Sequence, residues 1–174
     1  GKPSMRTSEQ ILSNIRTPSG KLEFVSSVLE GCEMPGHDGL PVYREFRDLL
    51  PMKEYPLILC TGCRKPQLFH KRTYRMPWLN NLEESPVIEL HPETAKQLGI
   101  EDGEMVRVTT PIGSLEMRLL YDTSGLPGVV HVYHGARDKD INSLLDEKYY
   151  DPISGFPGYK SYCCRLEKLE QGEV

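Results

Sequence analysis

The rhythm of apolar and polar positions changes at Tyr55. Before it, Ser8 to Ile15 reads as a short helix, Thr17-Pro18-Ser19-Gly20 as a turn and Lys21 to Val25 as a short strand. Gly31 to Pro41 carries three Gly and two Pro in eleven residues and predicts irregular chain. Nothing in residues 1–54 reads as able to bury a core by itself, so this region is expected to be an N-terminal extension, the end of a preceding domain plus a linker. From Tyr55 onward the pattern is organised. Pro56 to Cys60 is a continuous apolar run closed by Thr61-Gly62, as for a buried strand feeding a loop. Val87 to Leu90 is a second strand, and His91 to Gly99 a short helix with Pro92 in its first turn and Gly99 as its stop. Met105 to Thr109 and Ser114 to Leu120 both alternate, and Pro111-Ile112-Gly113 between them turns, which predicts a hairpin. Val129 to Tyr133 follows the turn at Gly125 to Gly128. Asp138 to Lys160 reads as loop, and Cys163 to Leu169 alternates as a closing strand. Five or six short strands with one or two short helices describe a small, mainly β barrel over residues 55–169, with a tail at 170–174.

Composition agrees with many short strands. The 174 residues include 15 Gly and 14 Pro, a turn-rich usage, with 38% hydrophobic residues and a mean hydropathy of −0.46. No apolar stretch approaches the roughly 18 residues of a membrane span, and the first sixteen residues contain no apolar segment of a secretory signal. A start at Gly1-Lys2 suggests a piece of a longer chain. Cys32, Cys60, Cys63, Cys163 and Cys164 are an odd set, and adjacent Cys163 and Cys164 bridge poorly, so reduced thiols are expected.

Charge changes the picture further. From Tyr55 to Leu82 there is no acid, while Arg64, Lys65, Lys71, Arg72 and Arg75 bring five positive charges to a chain of net charge −4, leaving the remainder at −9. Net acidity argues against general nucleic-acid binding, and a basic island in an acidic chain suits an anionic ligand, with a solvated, salt-bridged loop as the plainer alternative. Thr61-Gly62-Cys63-Arg64 with Phe69-His70-Lys71-Arg72 has the chemistry for a pyrophosphate: Gly62 opens backbone N–H groups, Arg64 offers a planar fork, His70 and Lys71 add donors. Cys60-x-x-Cys63 could be zinc-binding, with His70 and Cys163, or redox-active. Its spacing to a second ligand pair suits no common zinc module, and Pro66 with the basic run disfavours a helix N-terminus, so both cysteines are read as strand and loop residues. No nucleophile elbow, P-loop or G-x-G-x-x-G is present, and no catalytic residue is assigned.

Several ordered motifs carry a family resemblance. Thr61-Gly62-x-Arg64, Phe69-His70, Arg75-x-Pro77-Trp78-Leu79 and Ile88-Glu89-Leu90-His91-Pro92-Glu93-Thr94-Ala95-x-x-Leu98-Gly99-Ile100-x-Asp102-Gly103 come first. Pro111-x-Gly113, His134-Gly135, Asn142-x-Leu144, Asp151-Pro152-x-Ser154-Gly155 and the Lys160 region follow, with Thr17 to Phe24 upstream. Together they resemble the C-terminal molybdopterin dinucleotide-binding domain of the dimethyl sulfoxide reductase family of molybdenum and tungsten oxidoreductases. The resemblance implies a six-stranded double-psi β-barrel. It implies that Thr61, Gly62, Arg64, Phe69, His70, Lys71, Asn142, Tyr159 and Lys160 contact a molybdopterin guanine dinucleotide. It further implies a bis-MGD cofactor whose Mo or W is held mainly by other domains of the same chain, and room elsewhere for an iron–sulfur cluster and an electron-transfer subunit. Nucleic acid and direct membrane insertion are not expected, and a cytoplasmic or periplasmic location both fit. The chain departs from the family at Ala136, where Trp often follows His-Gly, and in a short stretch between Gly135 and Asn142. The competing readings are a stand-alone barrel serving as an interaction or chaperone module, and a zinc-binding regulatory module.

Overall fold

The computed structural model describes residues 6–43, 52–63, 76–80, 86–135 and 139–169. The chain divides into two compact units, residues 1–46 and 47–174.

The first unit contains two one-turn helices. Helix α1 (Ser8–Leu12) starts at Thr7, whose hydroxyl accepts from the Gln10 N–H while the Gln10 side chain accepts from the Thr7 N–H, a reciprocal cap. Helix α2 (Ser27–Gly31), absent from the sequence-based expectation, begins where the Ser26 hydroxyl accepts from the Leu29 N–H. The strand expected at Lys21 to Val25 does not form: those residues lie in bends and irregular chain, with Leu22 66% and Phe24 78% exposed. Alternation specifies a strand only where a second strand takes up its backbone hydrogen bonds and something covers its apolar face. No strand occurs among the described residues of this unit.

The second unit is a closed six-stranded barrel. Its strands are β1 (Leu57–Cys60), β2 (Val87–Leu90), β3 (Met105–Thr109), β4 (Ser114–Tyr121), β5 (Val129–Val132) and β6 (Tyr162–Lys168). The unexpected short helix α3 (Pro77–Asn80) precedes β2, and α4 (Pro92–Leu98) links β2 to β3. Around the barrel the order is β1-β5-β2-β4-β3-β6. Strands β1, β2 and β3 thus occupy alternate places, and β4, β5 and β6 fill the gaps. β1 pairs parallel with β5 and β2 parallel with β4, while the other four pairings are antiparallel. These interlocked parallel pairs make the fold a six-stranded double-psi β-barrel.

Alternation builds the core. Leu57 and Leu59 of β1, Ile88 and Leu90 of β2, Val106 and Val108 of β3, Met117 and Leu119 of β4, Val130 and Val132 of β5, and Cys164 and Leu166 of β6 turn inward and are buried. Ala95, within α4, and Ile100, just after it, join the core from the α4 connection. The strand directions decide what lies at each mouth. β1, β3 and β5 run one way and β2, β4 and β6 the other. One mouth therefore collects the loops after β1, β3 and β5, and the other collects α4 with the β4–β5 turn.

Candidate functional site

The loop-rich mouth gathers chain from four directions. β1 delivers Thr61, Gly62 and Cys63, and β5 delivers Tyr133, His134 and Gly135. The β3–β4 turn supplies Thr110 to Gly113, and the long return to β6 supplies residues 139–161, including a 3₁₀ turn at Ile141–Leu144. Hydrogen bonds stitch these pieces together. The Thr61 N–H donates to the Tyr159 carbonyl at 2.6 Å, and the His134 N–H donates to the Cys63 carbonyl at 3.2 Å. Thr110, buried, donates its hydroxyl to the Leu144 carbonyl at 2.7 Å. Tyr162 donates its hydroxyl to the Asp146 carbonyl, and the Tyr149 ring packs on Gly158 where a side chain would otherwise stand.

Thr61 continues the inward phase of β1 after Leu57 and Leu59, so its side chain enters the barrel end and is fully buried. Its Oγ1 has no hydrogen-bond partner among the described residues, and the same holds for Thr109 Oγ1 at the end of β3. A buried hydroxyl left unpaired costs about 1–3 kcal/mol, which suits a position where a polar ligand supplies the missing partner. Gly62 has φ +85°, and a Cβ placed on it would stand 2.8 Å from the Tyr159 Cβ. Gly62 thus has a structural reason to be glycine, because its bare face is where Tyr159 seats. The Tyr159 ring lies parallel to His134, with centroids 6.3 Å apart, and edge-to-face with Phe156 at 5.9 Å.

Burial, with the neighbouring Cys63 adding to it, raises the Cys60 thiol above its ordinary pKa, and the Lys160 ammonium opposes this. Lys160 therefore lies within electrostatic reach of the end of β1. A neutral, half-buried Cys60 is a poor nucleophile. Among the described residues no group of three or more His, Cys, Asp or Glu could hold a metal ion, with Cys63 exposed and Cys163 buried in β6. Asn142 sits exposed in the 3₁₀ turn, whose cap is the Asp140 carboxylate accepting from the Asn142 N–H at 3.2 Å.

The barrel mouth thus brings together five residues singled out from the sequence: Thr61, Gly62, Asn142, Tyr159 and Lys160. Arg64, Phe69, His70 and Lys71, with most of the basic island, lie outside the described residues. Phe156 and Tyr149 were missed. The signal for them was an aromatic-rich run, Tyr149, Tyr150, Phe156 and Tyr159, inside a stretch otherwise read as plain loop.

Comparison with known proteins identifies the family. The family model Molydopterin dinucleotide binding domain matches residues 57–163. Acetylene hydratase of Syntrophotalea acetylenica is 39% identical over 149 residues, covering 83% of this chain and 19% of its own. Dopamine dehydroxylase of Eggerthella lenta is 34% identical over 170 residues, covering 87% of this chain and 17% of its own. The solved structure of acetylene hydratase from Pelobacter acetylenicus superposes with a TM-score of 0.74 at 30% identity, covering 88% of this chain and 24% of that one. The chain belongs to the molybdopterin dinucleotide-binding domains of the dimethyl sulfoxide reductase family. It spans less than a fifth of the length of these two curated relatives.

Proposed function

We propose that this chain clamps a molybdopterin guanine dinucleotide, one half of a bis-MGD cofactor, within a molybdenum or tungsten enzyme. The observation that carries the reading is the buried Thr61 hydroxyl without a partner among the described residues, at the barrel mouth to which the segments bearing Gly62, Asn142, Tyr159 and Lys160 also belong. The donor set fits an anionic, amide-edged ligand. Thr61 Oγ1 donates to or accepts from a polar edge, and the Lys160 ammonium, with Arg64 and Lys71, neutralises phosphate oxygens. Asn142 presents an amide donor and acceptor to a guanine or pterin edge, and Phe69 and His70 are further candidate contacts. When bound, the cofactor supplies a dithiolene-held metal for redox or hydration chemistry, and the residues of this chain supply position and charge. The metal's protein ligand, the second dinucleotide and any iron–sulfur cluster or electron-transfer subunit belong to other parts of the assembly, so no residue here is assigned a catalytic role.

The test is cofactor retention in the enzyme that contains this chain. Arg64→Ala and Asn142→Ala are each expected to lower pterin and metal per protein, since a charge-assisted contact contributes about 1.5–3 kcal/mol. Lys96→Ala, exposed on α4 at the opposite mouth, is expected to leave both unchanged. Full occupancy in the first two variants, or loss that tracks unfolding, overturns the placement.

A further inference from the structure

Phe156 combines two properties that seldom occur together. The residue is 66% exposed, yet its backbone is pinned. The Phe156 carbonyl accepts from the Asp151 N–H at 2.8 Å, and its N–H donates to Ser154 Oγ at 3.2 Å. The Asp151 carboxylate accepts from the Ile153 and Ser154 N–H groups and from the Ser154 hydroxyl, closing the turn. Gly155, at φ +69°, donates to the Asp151 carbonyl, and Tyr150 bridges to Pro157 just outside the turn. A large apolar ring held out on an ordered turn contributes little to the stability of its own chain. Among the described residues its ring meets Tyr159 edge-to-face, and the Tyr159 Cβ seats on Gly62, next to Thr61, whose hydroxyl has no partner among those residues. The turn thus delivers an open aromatic face to the rim of the barrel mouth.

Resting on the function proposed above, we propose that Phe156 is a stacking platform for the flat heteroaromatic ring of the bound dinucleotide, a purine or a pteridine. Both rings present a π-face that an ordered phenyl ring accepts without reading sequence-like edge information. Phe156 supplies ring affinity, while the edge-reading and charge-neutralising work falls to Asn142 and Lys160.

The experiment uses the 174-residue chain with three probes: guanosine monophosphate, neopterin and ribose 5-phosphate. Affinities are read by NMR titration together with the ring-proton shifts of the probe. The expected result is that the wild type binds at least one ring-bearing probe with an upfield shift of its ring protons. Phe156→Ala is expected to weaken that binding about tenfold and abolish the shift, and Phe156→Trp to retain both. Ribose 5-phosphate, which has no aromatic ring to stack, is expected to bind both proteins alike. The probe that responds identifies which ring the platform takes. Equal ring affinity in wild type and Phe156→Ala overturns the stacking inference and leaves the cofactor-clamping reading standing. A folded wild-type chain that binds neither ring overturns both. The melting temperature of Phe156→Ala is expected to stay within about a degree of wild type, and a fall of several degrees would show the ring to be packing and overturn its role as a platform.

Discussion

The two mouths of the barrel solve different problems, one with the α4 connection and a short turn, the other with longer stretches of chain between strands. At the α4 mouth the polar groups find partners within the chain. His91 caps α4 by accepting from the Glu93 N–H, Gly99 ends it in the left-handed region, and the Ile100 N–H returns to the Ala95 carbonyl. The buried Thr94 hydroxyl accepts from the Gly128 N–H at 2.8 Å. Asp102 accepts from the Tyr121 N–H, and the Tyr121 hydroxyl donates to the Ile100 carbonyl. At the opposite mouth, Thr61 and Thr109 keep buried hydroxyls without partners among the described residues, and Phe156 stands in solvent. A mouth that closes on itself serves stability. One that leaves polar and aromatic groups uncommitted suits a ligand.

The sharpest way to break this comparison is a matched pair of glycine substitutions. Gly62 and Gly103 both have positive φ, +85° and +81°, but a Cβ on Gly62 meets Tyr159 while one on Gly103 meets open space. Gly62→Ala is expected to destabilise the chain by about 3 kcal/mol, from overpacking added to left-handed strain. Gly103→Ala should cost about 1 kcal/mol, the strain alone. Denaturant titration checks both, and equal costs would show that the Gly62–Tyr159 packing carries no weight.

A second pair sharpens the contrast in satisfaction. Thr94→Val strands the Gly128 N–H and is expected to cost about 1–3 kcal/mol. Thr61→Val removes a hydroxyl that has no partner among the described residues, so the unliganded chain is expected to be as stable as wild type or more so. Thermal melts distinguish the two, and a destabilised Thr61→Val would reveal a partner for that hydroxyl.

The smallest effect is on pH dependence at the α4 mouth. Hydrogen bonds from the Ser124 hydroxyl and N–H hold the Asp122 carboxyl below its ordinary range, with burial opposing weakly and His131 and His91 adding a little. A depressed folded-state pKa adds stability at pH values above the unfolded value of about 4, lost as pH falls through the lowered one. Asp122→Asn is expected to lower the neutral plateau of the melting-temperature profile slightly and to leave the acid end unchanged, so that the acid side is flatter.

Legibility from the sequence differed between regions for a physical reason. All six strands and α4 were readable because inward alternation, Pro92 and Gly99 are local signals, and packing around one core reinforces each of them. Lys21 to Val25 carries similar local alternation and forms no strand, because no partner strand is at hand among the described residues of its unit. Helices α2 and α3 were missed because a single turn gives too few residues for a helical period, leaving only the Ser26 cap as a clue to α2.

The residue types of the site were visible in the chain as well: Thr61-Gly62, Asn142, Tyr159 and Lys160 carry donors, acceptors and charge whatever the fold. That they share one barrel mouth was decided by strand order, because β5 inserts between β1 and β2 and β6 closes between β3 and β1. This brings together residues some eighty to a hundred positions apart through parallel and antiparallel pairings that no local pattern encodes. Tertiary structure also decided that Thr61 Oγ1 stays unpartnered among the described residues and that Phe156 stays exposed on a fixed turn. Both depend on what other segments leave uncovered, and a sequence specifies that only through the packing of the whole barrel.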